Sequence, residues 1–297
     1  MSSNASLARR LRPAALALIL AAAAVPAGAQ PAASAAEART ARYLEAVRDR
    51  PPLLVAFLRE LPKGGDLHSH LSGAVYAESY LRWAAEDSLC IAVVELVVAW
   101  PPCTSDPDTI PAAAAIANGT LYGALIDAWS MRNWNAARKN GHDQFFDTFG
   151  KFGATDRRTG DMLAEAASRA AHGRVSYLEL MLTADGRGAV NLGTSVGWDP
   201  DFARLRDKLL AAGLRDTVAK ARSTLDRVEA RRDTVLGCGA AAADPGCGVT
   251  VRWLYQVARA NPPEQVFAQI MLGFMLAQSE PRVVGFNLVQ PEDALVP

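Results

Sequence analysis

The sequence predicts a parallel α/β fold, and three observations lead there. Four segments read as strands near residues 66–70, 175–182, 249–257 and 283–289, and the run VSYLELML at 175–182 is apolar enough for a strand buried on both faces. Helical stretches separate these segments, as right-handed crossovers between parallel strands of one sheet require, with the strands in chain order. Half of the 297 residues are hydrophobic and 21% are charged, which supports a sizeable core and excludes a disordered chain. Four strands are half of what a closed (β/α)8 barrel takes.

Taken from the N-terminus, the first element is an export signal spanning 1–29. Arg9, Arg10 and Arg12 precede an apolar run at 14–25, and Ala27-Gly28-Ala29 supplies small residues for cleavage. The run is too short for a membrane span, which needs about 20 apolar residues. No other segment is apolar for long enough, so the mature protein is expected in the periplasm or outside the cell, free of the membrane. Lys and Arg total 31, as do Asp and Glu; removal of the three signal arginines leaves a slight acidic excess. A phosphate-backbone binder should be basic, so nucleic acid is not an expected partner.

Residues 30–60 read as an Ala-rich leader and two helices, 37–48 and 53–61, separated by Pro51-Pro52. The main domain follows at 61–297. A Pro-Lys-Gly-Gly turn launches the first strand, a helix follows at 77–86, and a β-rich insertion lies near 88–105. Helices are expected at 120–134, 142–152 and 159–172, the last ended by Gly173. Asp199-Pro200 opens one long amphipathic helix carrying Phe202, Leu205, Leu209, Val218, Leu225 and Val228. Its charged residues Arg204, Asp207, Lys208, Arg231 and Arg232 read as a solvated face. Asn261-Pro262 caps a helix to about residue 278.

Four cysteines fit an oxidising compartment and allow three connectivities. Proximity favours Cys90 with Cys103 and Cys238 with Cys247, each short loop contributing roughly 2–3 kcal/mol. A cysteine zinc site is the rival, and no Cys-x-x-Cys spacing supports it.

The chemistry centres on His68 and His70, which flank Ser69. Residues i and i+2 of a strand point to the same side, so two imidazoles at a strand end can share one divalent metal. Taken alone the pair is equally readable as structural. Its context is more specific: LPKGGDLHSHLSGAVYAESYL resembles the first strand of the adenosine deaminase family, within the metal-dependent amidohydrolases. The Gly-Gly form, the signal and the cysteine-bracketed insertion resemble that family's secreted, growth-factor-related branch. GHDQFFDTFGKF is similar to its aromatic helix, and VSYLELM, VRWLYQVAR and VVGFNLVQPED to its second, third and fourth strands. The resemblance covers roughly residues 40–297.

This resemblance implies a (β/α)8 barrel of which about the first four units are present. It also implies zinc-dependent hydrolytic deamination of adenosine, or a related purine nucleoside, to inosine and ammonia, with zinc lowering the pKa of water and a glutamate protonating the ring. Residue by residue, His68 and His70 match the first two zinc ligands. Ser72 stands where many relatives have an Asp that contacts the sugar. Phe145 and Phe149 match aromatic residues near the nucleoside, although aromatics at i and i+4 more often pack in a helix core. Gln290 stands where the family has a purine-contacting Gly.

The family's remaining histidines, its catalytic Glu and its final Asp have no counterpart in the chain, so no residue is assigned as catalytic. Of the other histidines, His172 reads as a helix C-terminal cap. His142 reads as a pocket edge or an exposed loop residue, and Glu179 as a structural carboxylate. The expectation is a deaminase-like chain, incomplete and weakly active or inactive, which self-associates through exposed sheet edges. The alternatives are an amidohydrolase for another base, and a non-enzymatic exported remnant that binds a nucleoside or a partner.

Overall fold

The computed structural model describes residues 34–104 and 107–291; the expected export signal lies outside them. The described residues fall into two units, divided between Leu58 and Arg59. The first holds α1 (Ala35–Val47) and most of α2 (Pro51–Glu60). Ser34 caps α1 reciprocally: its hydroxyl accepts from Glu37 N–H, and the Glu37 carboxylate accepts from Ser34 N–H. Pro51-Pro52 starts α2, because proline fits a first turn where no N–H partner is needed.

The second unit begins with β1 (Gly64–His70), a short 3-10 turn at Leu71–Ala74 and α3 (Ala77–Glu86). The insertion is β-rich, as expected. Strands β2 (Cys90–Ala92), β3 (Val97–Ala99) and β4 (Thr109–Pro111) form a small antiparallel sheet ordered β3-β2-β4. Then come α4 (Ala112–Ala117), α5 (Gly119–Ala128), α6 (Gly141–Phe149), α7 (Thr159–His172), β5 (Val175–Leu182), α8 (Gly188–Val196), α9 (Phe202–Ala211), α10 (Leu214–Leu236), β6 (Thr250–Ala258), α11 (Pro263–Ser279) and β7 (Val283–Val289). All four expected strands pair in parallel in one curled, half-barrel sheet ordered β1-β5-β6-β7.

Burial alternates along this sheet. Val251, Trp253, Tyr255 and Val257 of β6 and Leu178 and Leu180 of β5 join a core with Leu163, Ala167, Leu225, Leu272 and Leu276 of the helices. Arg252, Leu254 and Gln256, and Tyr177 and Glu179, are only half-buried. The expectation that 175–182 is buried on both faces is therefore corrected: the helical layer covers one face, and the other is partly open.

Other boundaries are corrected by local chemistry. The helix expected to Trp134 stops at Ala128, where the Ser130 hydroxyl donates to Ile126 C=O and accepts from Arg132 N–H, and Asn133 takes φ 56°. The single long helix is two, α9 and α10, parted by Gly213 at φ 100°. Its charges are not merely solvated: Arg204 and Lys208 bind Asp199, and Arg231 binds Asp161. Phe202 is exposed rather than on the buried face. Gly173 ends α7 with φ −80°, and the left-handed position falls on Arg174. Asn261 does not cap α11, whose N-cap is Pro262. Helices α4 and α8 were not expected.

Cys90 is bonded to Cys103 and Cys238 to Cys247, with Cα separations of 5.4 and 5.6 Å. Two disulfides fit an oxidising, extracellular environment. Among the described residues, no helix is long and apolar enough to cross a membrane.

Candidate functional site

Parallel pairing brings the C-terminal ends of all four strands to one edge of the sheet. His70 is the last residue of β1, Gln256 lies near the end of β6, Asn287 to Val289 close β7, and Gln290 follows it. Together with the aromatic residues of α6, these strand ends form a cleft of about 570 Å3. Its walls include His68, His70, Ser72, Phe145, Phe149 and Gln290. Residues from three separate stretches of chain, singled out by the His-Ser-His spacing and by resemblance, thus meet in one cavity.

The two imidazoles stand with ring centroids 5.9 Å apart and planes at 79°. A β-bulge includes the first of them: from Asp66 to Ser69, β1 advances three residues while β5 advances two, from Leu178 to Leu180. Bulges re-aim side chains at sheet rims, and this one sits at Leu67 and His68. The Asp66 carboxylate accepts from His68 N–H at 3.1 Å, which ties the backbone at the bulge. His70 Nδ1 lies 3.0 Å from Gln256 Oε1.

Ser72 sits in the 3-10 turn after β1, where its carbonyl accepts from the Tyr80 hydroxyl at 2.7 Å. Phe145 and Phe149 meet edge to face at 5.3 Å, the i and i+4 contact of a helix. Phe149 also packs on the core, whereas Phe145 is 45% exposed and opens onto the cleft. Phe146 stands edge to face with Phe145 at 5.1 Å and lines the same wall.

The other candidates lie elsewhere. His172 Nδ1 donates to Ser168 C=O in the last turn of its own helix, at 2.7 Å. His142 contacts Asp143 at 3.0 Å and packs on Phe146, outside the cleft lining. The hydrogen bond with His142 is the leading influence that holds the Asp143 carboxyl below its ordinary range. Glu179 accepts from the Tyr177 hydroxyl at 2.9 Å; burial, and then this carboxylate, raise the Tyr177 pKa.

Sequence reasoning missed Gln256, Phe146 and Asn287. Strand alternation alone could have placed Gln256 and Asn287 on the open face, where they are register partners. Nothing in a lone Gln or Asn marks it further. Among the described residues, the cleft is lined by imidazole, hydroxyl, amide, aromatic and aliphatic groups, and none of its lining residues is Asp, Glu, Lys or Arg. Among the described residues, no group of three or more His, Cys, Asp or Glu is placed to hold a metal.

No protein-family model matches the chain, and no curated protein matches it.

Proposed function

We propose that this cleft is a purine-nucleoside site with a divalent-metal position at His68 and His70. In this reading the protein is an exported, zinc-dependent deaminase of the adenosine deaminase family, built on the (β/α)8 plan. The observation that carries the reading is the convergence of His68, His70, Ser72, Phe145, Phe149 and Gln290 on one cleft at the strand ends. In α/β barrels that edge is where active sites lie.

The donor chemistry fits the metal as far as two imidazoles can. Rings sharing one zinc at about 2.0–2.1 Å per nitrogen have centroids roughly 5–6 Å apart, and the observed separation is 5.9 Å. When bound, zinc would supply Lewis-acid activation of water. The chain's own groups suit a neutral heteroaromatic ligand. The Phe145, Phe146 and Phe149 rings offer faces and edges to a base, and Gln256, Asn287 and Gln290 offer amides that both donate and accept. Among the described lining residues there is no Lys or Arg to balance a phosphate charge, which favours a nucleoside over a nucleotide.

A second reading, nucleoside binding without turnover, is favoured by one specific observation: among the described residues, no carboxylate lines the cleft to act as proton donor. The test is calorimetric titration of the purified protein with zinc and with adenosine, alongside the fall in adenosine absorbance. Zinc and adenosine binding with turnover supports the deaminase. Adenosine binding without turnover supports the second reading, and no binding of either removes both.

A further inference from the structure

The contact between His70 and Gln256 joins residues 186 positions apart and reaches over the intervening strand β5. Gln256 touches no other described element of the proposed nucleoside machinery at hydrogen-bond distance. Its register partner Asn287 instead donates to the Met181 sulfur at 3.7 Å.

A neutral imidazole carries one proton, on either nitrogen, and only the bare nitrogen can ligate a metal. Which nitrogen is bare is set by the hydrogen bond the other makes. An amide oxygen has no hydrogen to give, so its contact at 3.0 Å with His70 requires the proton on Nδ1. The Nε2 lone pair is then free. With the amide turned over, an NH2 group would face Nδ1, the proton would move to Nε2, and His70 could not ligate through that atom.

We propose that Gln256 is a positioning residue that holds His70 in the Nδ1-protonated tautomer and so presets Nε2 as the ligating atom. This rests on the metal reading above for its purpose, but not for its first test. A neutral amide does this without adding charge to a cleft whose described lining residues include no carboxylate or cationic side chain.

The experiment uses the full chain labelled with 15N-histidine, which contains only four histidines. Long-range 1H–15N spectra of the metal-free protein report the tautomer of each ring, and His70→Gln assigns the signal. The expected result is an Nδ1-protonated His70 in the parent. Gln256→Glu should retain this tautomer, and Gln256→Leu should lose it. A thermal melt of each variant shows whether it is folded, and Gln256→Glu serves if Gln256→Leu is not. Zinc titration should then show a 10–100-fold weaker site in Gln256→Leu and little change in Gln256→Glu.

An Nε2-protonated His70 in the parent overturns the proposal. So does a folded Gln256→Leu protein that keeps both tautomer and zinc affinity. If the parent binds no zinc, the metal reading falls, and the tautomer spectra still decide the role of Gln256.

Discussion

Two imidazoles of this chain end an element each, and their surroundings separate their roles. His172 spends Nδ1 on a carbonyl of its own helix, where a ring near the C-terminus satisfies a late backbone acceptor. His70 spends Nδ1 on a side chain two strands away and keeps its other nitrogen for the cleft. If the cleft holds zinc as proposed, His68→Ala and His70→Ala should each lower zinc affinity at least about tenfold, since each would remove a proposed ligand. Their melting temperatures should stay near the parent's, because neither ring is in the core.

Glu280 belongs at the same scale. Its carboxylate takes two nitrogens of Arg282, at 2.9 and 3.0 Å, and is held below its ordinary pKa chiefly by that guanidinium. A carboxyl lowered in the folded state adds stability above its unfolded pKa, near 4.3, and loses it as pH falls through the folded value. Glu280→Gln should therefore destabilise by about 1 kcal/mol at pH 7, a discounted figure for a partly exposed pair. The difference should vanish in acid well below pH 4.3. Urea titrations of both proteins across that range would show it.

At the scale of elements, α8 and α11 approach through a glycine. A Cβ on Gly193 would stand 2.6 Å from Glu264 C=O and 2.8 Å from Gln265 Cα, both backbone atoms that cannot swing aside. Gly193→Ala should cost about 1–3 kcal/mol, the usual penalty for overpacking, and chemical denaturation measures it. The junction after α10 depends on a covalent closure. Cys238 and Cys247 enclose nine residue steps, and the loop turns on Gly237 and Gly239, both at positive φ. Replacing the pair with serine should lower stability by roughly 2–3 kcal/mol through the freed unfolded chain.

For the whole molecule, the sheet edges set an expectation for behaviour in solution. Strands β1 and β7 end the described sheet on either side, and Leu67, Val284 and Leu288 are exposed along them. Unpaired strand edges bearing apolar side chains invite pairing with another copy. The protein should elute as dimers or larger species in size-exclusion chromatography. Leu67→Lys together with Leu288→Lys should shift it toward monomer, because charge on an edge strand opposes edge-to-edge docking. A monomeric parent at high micromolar concentration would count against this expectation.

The sequence by itself determined the local and the periodic. Strands β1, β5, β6 and β7 formed in the expected order, the last three from largely apolar runs and β1 from the segment after a Pro-Lys-Gly-Gly turn, and the nearest cysteines paired, because short loops close at least entropic cost. The His-Ser-His spacing sufficed to put both rings on one cleft. Tertiary structure decided what no local signal encodes. Whether Val175–Leu182 is covered on one face or two depends on where the helices land. The split at Gly213 uses a positive φ that glycine allows, but a glycine in the sequence does not say on which side of zero its φ will fall. The partnership of His70 with Gln256 exists only because the curl of the sheet brings two strand ends within reach across a third, and an amide in a strand announces nothing until something stands opposite it.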